Sequence, residues 1–194
     1  MCGRYVAEDD ESIDMGALYR ELRLEYPTVN LKAGEIFPTN TVPLLCGNEK
    51  IPLPGTWGFP KFDGKGVIIN ARSESVAEKF TFRDSFLNRR CIVPSTGYYE
   101  WSRQKEKFRF NLPNQQMLYM AGIYQSTPDG LRFVILTTAA NDSVSPIHHR
   151  MPLILTDGMA DAWMANVREA TDCLRAVMPT LRYSAEAAGG GFEK

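Results

Sequence analysis

Residues 91–101 read CIVPSTGYYEW, and the runs after them, KFRFNL (107–112), MLYMAGIY (117–124), LRFVILTTAA (131–140) and MPLILT (151–156), repeat their character. Each run is short and rich in β-branched and aromatic side chains. Turn-like LPNQQ (112–116) and STPDG (126–130) separate them. That rhythm predicts antiparallel strands rather than helices, because the runs are too short for helices and are punctuated by turn residues. The second half of the chain therefore predicts an α+β fold built on a central antiparallel, barrel-like β-sheet with flanking helices.

Upstream the pattern is mixed. SESVAEKFTFRDSFLNRR (73–90) reads as helix in two pieces, with Thr81 and Asp84 at capping-box spacing before Phe86 and Leu87. Residues 10–25 read as an amphipathic helix on Ile13, Leu18 and Leu22, with acidic residues leading. In AGEIFPTNTVPLL (33–45), Pro38 and Pro43 restrict where strand pairing can begin. TWGF (56–59) and GKGVIINAR (64–72) read as strand or strand edge, and DGMADAWM (157–164) as a helix started by Thr156 or Asp157. No repeat or low-complexity block interrupts this, so a single domain over 1–185 with a flexible tail over 186–194 is expected.

Composition is ordinary for a globular protein: 194 residues, 44% hydrophobic and 23% charged. There is no basic segment followed by an apolar leader, and no run approaches the roughly 18 apolar residues that a membrane span needs. The expectation is a cytoplasmic protein, nucleoid-associated if bacterial, with no membrane partner. The 4 cysteines, Cys2, Cys46, Cys91 and Cys173, form no C-x-x-C pair, which argues against a zinc site and a disulfide framework. Three of them read as buried thiols. A net charge of −1 advertises no polyanion, so a nucleic-acid partner would need a local patch drawn from Arg4, Arg72, Arg89, Arg90, Arg103, Arg109 and Arg150.

Cys2 is the exception among the cysteines. Loss of Met1 would leave a free α-amine beside its thiol, each a modest shift from its nucleophilic form near neutrality. Such a 1,2-aminothiol condenses with an aldehyde to an imine, and the thiolate then closes a thiazolidine, an intramolecular step favoured by effective molarities of roughly 10⁵ M or more. An internal cysteine cannot do this, because its nitrogen is an amide. An incidental Cys2 is the plain alternative.

Other residues fit the same chemistry. Glu100, between Tyr99 and Trp101, is placed for its carboxyl to be desolvated into the range useful for proton transfer, or else to be a salt-bridged strand residue. SPIHHRMPLIL holds both histidines; on a strand His148, Arg150 and Pro152 share one face and His149 points away. Asn70, Arg72 and Glu74 alternate after an apolar strand, giving a neutral hydrogen-bonding group and a phosphate-binding fork, or an Arg72–Glu74 ion pair. No metal site is expected.

Taken in order, MCGRY (1–5), PTNTVPLL (38–45), WG (57–58), INARSE (69–74), RRCIVPSTGYYEW (89–101) and IHHRMPLIL (147–155) resemble the SOS response-associated peptidase (SRAP) family, whose members crosslink to abasic sites in single-stranded DNA. The resemblance implies that Cys2 is the nucleophile, that Asn70 holds the sugar or the Cys2 amine, that Glu100 shuttles protons and that His148 assists near the sugar and its 3′ phosphate. It implies DNA-backbone roles for Arg4, Arg72 and Arg150, a pocket-entrance role for Pro38, and aromatic contacts from Trp57 and Trp101. No cofactor is implied, and a monomer is expected. Strand cleavage by β-elimination from the imine is a further outcome. A cysteine peptidase acting on its own N-terminus and a non-catalytic binder of single-stranded or modified DNA are the other readings. The chain departs from the family at Ile36, where relatives often carry asparagine.

Overall fold

A computed structural model, describing residues 2–10, 14–113, 117–156 and 158–186, shows how the strand-like runs are used. In chain order the elements are β1 (Arg4–Ala7), α1 (Asp14–Glu25), β2 (Gly34–Ile36), β3 (Thr41–Cys46), β4 (Ile51–Trp57), β5 (Phe59–Pro60), β6 (Val67–Ile68) and β7 (Asn70–Arg72). A 3₁₀ turn (Ser73–Ser75) leads to α2 (Phe80–Asn88), β8 (Arg90–Ser95), β9 (Gly97–Trp101), β10 (Lys107–Asn111), β11 (Leu118–Thr127) and β12 (Gly130–Ala139). β13 (Arg150–Pro152), α3 (Met159–Ala165), α4 (Val167–Cys173) and β14 (Arg182–Ala185) complete the described chain.

The class is α+β. Five strands close on themselves: β11 pairs with β8, β8 with β3, β3 with β4, β4 with β12, and β12 again with β11. Closure leaves this ring no free edge. Every seam is antiparallel except β4–β12, which is parallel, so the antiparallel expectation needs that refinement. The upper half of β12 reaches beyond the ring to β7, again in parallel, and to β13. A second, open sheet runs β14-β10-β9-β1-β2, all antiparallel.

β8 passes directly into β9, so one stretch of chain serves both sheets. Thr96 N–H donates to Val6 O at 2.9 Å, and the Ser95 hydroxyl bonds both the carbonyl and the N–H of Gly97. Gly97 is required there because a Cβ would lie 2.7 Å from the Phe110 carbonyl oxygen. Pro38 lies in the turn before β3, whose pairing begins at Thr41, whereas Pro43 sits inside the strand and does not delay it. Pro43 faces Pro54, and Pro52 faces Leu45 two steps on, so all three prolines fall on pairs of one parity and the intervening pairs can carry the ladder bonds.

Several local expectations change. α2 begins at Phe80 with Lys79 as its uncapped N-terminal neighbour; Asp84 instead bonds Arg89 and Asn88, so Thr81 and Asp84 make no capping box. The helix end is closed by Arg90, which donates to Phe86 O and Leu87 O at 2.9 Å and to Trp163 O in α3. Gly158, in a left-handed conformation, starts α3, and the Thr156 hydroxyl goes to the Met159 sulfur; Asp157 lies outside the described residues. In α1, Met15, Tyr19 and Leu22 are buried and Leu18 packs beside them, while Ile13 is outside the described residues. β14 has no counterpart in the sequence reading. Ala185 pairs with Phe108 and Glu186 N–H still donates to Lys107 O; the rest of the expected tail, 187–194, lies outside the described residues. No described helix is long and apolar enough to cross a membrane.

Candidate active site

Cys2, Asn70, Glu100 and His148 come from four segments, and the junction of the barrel with the open sheet brings them together. Pairing of Arg4 with Tyr99 places residue 3 opposite Glu100 one step further along β1 and β9. Asn70 opens β7, held on β12 opposite Ile135, and its Nδ2 donates to the Cys2 carbonyl at 2.8 Å. His148 lies in the turn before β13, its Nδ1 3.9 Å from Glu100 Oε1. The Asn70 Oδ1 is buried with no hydrogen-bond partner among the described residues, leaving a spare acceptor on the side chain that grips Cys2.

Burial sets the electrostatics. Cys2 is 0% exposed, so all four cysteines are buried rather than three. Burial, reinforced by the Glu100 charge, pushes the Cys2 thiol well above its ordinary value, and its sulfur contacts Arg4 O at 3.8 Å. Loss of solvation also raises the Glu100 carboxyl from 4.5 to about 7, so near neutrality it exchanges a proton readily. Burial lowers His148, which is therefore neutral at physiological pH. Its Nδ1 lies 3.1 Å from both the N–H and the carbonyl of Arg150, so the tautomer decides which of them it meets. His148 is not on a strand, and His149 does not point away: the two rings are 4.5 Å apart.

The residues expected on the DNA divide into two groups. Arg4 is half-exposed at the site mouth, its guanidinium 4.0 Å from the Phe37 ring centre and 5.1 Å from that of Trp101. Glu35 holds Arg4 at 3.3 Å and Lys107 at 2.7 Å; burial would raise its carboxyl, but Lys107 and Arg4 outweigh this and hold it below the ordinary range. Pro38 sits next to exposed Phe37, in a turn closed by Asn40 N–H to Phe37 O. Thr39 adopts φ 74° in that turn, a strained value for a β-branched residue, fixed by its N–H donating to Trp57 O at 2.8 Å. Arg72 is exposed beside the site.

Trp57 and Arg150 are committed elsewhere. Trp57 is 0% exposed, edge-on to Tyr5 and stacked on Phe133, so it presents no face to a base. Its indole N–H donates to Ile69 O at 3.0 Å, bracing the backbone just before Asn70. Arg150 forks onto Glu74 and reaches Thr137 O at 2.6 Å, and this hydrogen-bonded pairing holds Glu74 below its usual value. The ion pair of Glu74 is therefore with Arg150, not Arg72. Sequence reasoning missed Glu35 and Phe37; an aromatic directly before Pro38 was the one available signal, because the partners of Glu35, Arg4 and Lys107, come from other strands. No residue of this site lines the groove of about 700 Å³ between the β5–β6 hairpin and α2.

A family model described as SOS response associated peptidase (SRAP) matches residues 1–187. The abasic site processing protein YoqW of Bacillus subtilis is 35% identical over 120 residues, 57% of this chain and 54% of that protein. YedK of Escherichia coli, also named an abasic site processing protein, is 30% identical over 177 residues, 84% of this chain and 79% of YedK. The matches to the first Bacillus relatives span about half of those proteins' length. Among solved structures, a protein from Bacteroides thetaiotaomicron superposes with a TM-score of 0.78 at 22% identity, covering 96% of this chain and 93% of its own. A phage-related protein from Bordetella bronchiseptica gives 0.70 at 22% identity, with 96% and 94% covered. These structures support the fold.

Proposed function

The chain belongs to the SOS response-associated peptidase family, and from that premise we propose that it processes abasic sites, binding single-stranded DNA and capturing the ring-opened sugar aldehyde on Cys2 after Met1 is removed. The observation that carries this reading is the pairing of a buried Cys2 with a carboxyl raised to about 7 and an asparagine that grips the Cys2 carbonyl. The amine freed by Met1 removal adds to the aldehyde carbon. Loss of one water gives the imine, and Glu100 supplies and takes back protons through these steps. The thiol then adds to the imine carbon and closes the thiazolidine. The product is aldehyde plus aminothiol less one water.

Arg4, fixed between Phe37 and Trp101, and Arg72 supply positive charge to the strand's phosphates, and Trp101 offers a face to a base. Trp57 and Arg150 act from behind, by holding β7 and β13. Loss of a proton α to the imine carbon would expel the 3′ phosphate, so strand cleavage competes with ring closure. A thiol–imidazole peptidase pair is less favoured, because the Cys2 sulfur turns to the Arg4 carbonyl.

Protein lacking Met1 should be mixed with a single-stranded oligonucleotide bearing one abasic site. A denaturation-resistant band is expected, with an intact mass equal to protein plus oligonucleotide less one water. No adduct, or an equal adduct from Cys2→Ala, overturns the proposal.

A further inference from the structure

The chain from Asn141 to His149 forms no strand, yet the turns that carry His148 are closely built. Asn141 anchors them. Its backbone carbonyl accepts from the Val144 N–H at 3.0 Å and the Ser145 N–H at 2.8 Å; the Val144 carbonyl then accepts from the Ile147 N–H at 2.9 Å and the His148 N–H at 3.0 Å. The side-chain oxygen of Asn141 accepts from the Ser143 N–H at 3.1 Å and the Ser143 hydroxyl at 2.6 Å, the local bonding by which asparagine shapes turns. Together these bonds fix the backbone between Asn141 and the imidazole.

The other half of the same amide faces a distant part of the chain. Asn141 Nδ2 donates to Met178 O at 3.2 Å and Pro179 O at 2.8 Å, and the Ser143 hydroxyl accepts from the Leu181 N–H at 3.0 Å. Just beyond Leu181 the chain enters β14, where Ala185 pairs with Phe108, itself paired with Glu100 across β10 and β9. Residues 178–186 are therefore an arm, tied at one end to the His148 turn and in register at the other with the strand of Glu100. Asparagine suits the joint because it donates and accepts at once; aspartate, of equal size, has no donor for the two carbonyls, and leucine has neither function.

Resting on the aldehyde-capture reading above, we propose that Asn141 is a positioning residue for that reaction: through its side chain the C-terminal arm holds the turn that sets the His148 imidazole against Glu100, with Nδ1 3.9 Å from Oε1. Asn141 touches neither the carboxyl nor the reacting sugar in this role. It acts through the backbone of residues 143–148. A loosened turn carries the ring away from the carboxyl that exchanges protons, and a misplacement of about 1 Å caused far from the chemistry can cost on the order of 10²-fold in rate.

The test is Asn141→Ala in Met1-free protein, alone and combined with His148→Ala, with Ser143→Ala as a milder cut of the same link. Asn141→Ala is expected to slow adduct formation with the abasic oligonucleotide about tenfold or more, Ser143→Ala less, and Asn141→Ala to add nothing to the loss caused by His148→Ala. Cys91→Ala, a destabilised protein with its turn intact, is expected to keep the wild-type rate. An equal fold-loss from Asn141→Ala with and without His148, or wild-type rates in both Asn141→Ala and Ser143→Ala, overturns the role. A second readout needs no DNA: the chain has 2 histidines, so the His148 ring can be titrated by proton NMR. Burial holds His148 below its ordinary value, and Glu100, His149 and Arg150 around it are unchanged in Asn141→Ala, so release of the turn is expected to move its midpoint upward. An unmoved midpoint overturns the proposal. If wild type forms no adduct, the capture reading falls by itself, and the ring titration still decides whether Asn141 holds the turn.

Discussion

Two buried cysteine sites in this molecule, one inside paired strands and one just before β1, differ in what surrounds the sulfur. Cys46 and Cys91 are register partners across β3 and β8, in the barrel seam that has only two paired positions. Burial raises the Cys91 thiol, and its hydrogen bond with Cys46 raises it further; the Cys91 carbonyl receives the Trp163 indole N–H, and Gly122 lies so close that a Cβ there would be 2.8 Å from the sulfur. Cys2 is buried as deeply. Around it, however, stand a carboxyl titrating near 7, an asparagine with a spare acceptor and a neutral imidazole. Burial makes both thiols inert at rest, so it does not mark the reactive one. Proton-accepting neighbours do.

The contrast is broken most directly by exchanging the roles. Cys2→Ala should abolish the adduct, a loss of at least about 10³-fold in a denaturing-gel assay, while Cys91→Ala should leave adduct formation at the wild-type rate. Equal losses would mean that the two sites are not distinguished as argued. Next in size, Glu100→Gln should slow adduct formation by about 10²–10⁴-fold, as expected for removal of a general acid–base group. The variant's rate profile should also lose its inflection near pH 7.

The same substitution sharpens the comparison through stability. The Glu100 carboxyl is raised from 4.5 to about 7 in the folded state, so between these values the folded protein holds a proton that the unfolded chain has released. Wild-type stability therefore falls as pH rises through that window, by at most about 3 kcal/mol. Glu100→Gln should match wild type below pH 4.5 and melt higher than wild type at pH 8, as read by thermal unfolding; a gap that widens toward acid would refute the assignment. The smallest effect belongs to the barrel seam: Cys91→Ala should cost about 1–2 kcal/mol in urea unfolding with no pH dependence between 5 and 8.

How much of this was legible beforehand follows from what kind of contact each feature needs. The strands from 91 onward were readable because turn residues and β-branched runs are local signals. β14 was not: RYSA is exposed throughout and becomes a strand only because β10 offers it an edge. Thr81 and Asp84 had capping spacing, but Arg89 captured the carboxylate and Arg90 closed the helix from the adjoining strand. Among the site residues, Cys2, Asn70, Glu100 and His148 were named from sequence. Nothing in WG or HHRMP tells whether an indole or a guanidinium points out or in, so the burial of Trp57 and the hold of Glu74 and Thr137 on Arg150 were not legible. Phe37 and Glu35 escaped notice because each meets a partner more than 30 positions away, Arg4 in both cases.

Sequence alone determined the family, the α+β class and the chemistry that an exposed Cys2 amine would permit, since these rest on residue types and their order along the chain. Tertiary structure decided that the Cys2 sulfur and the Glu100 carboxyl share one dry junction, that Trp57 is buried and that Arg150 is held by Glu74. The reason is that solvation and proton affinity are properties of a surrounding volume, and that volume forms only when β1, β7, β9 and the turn before β13 meet.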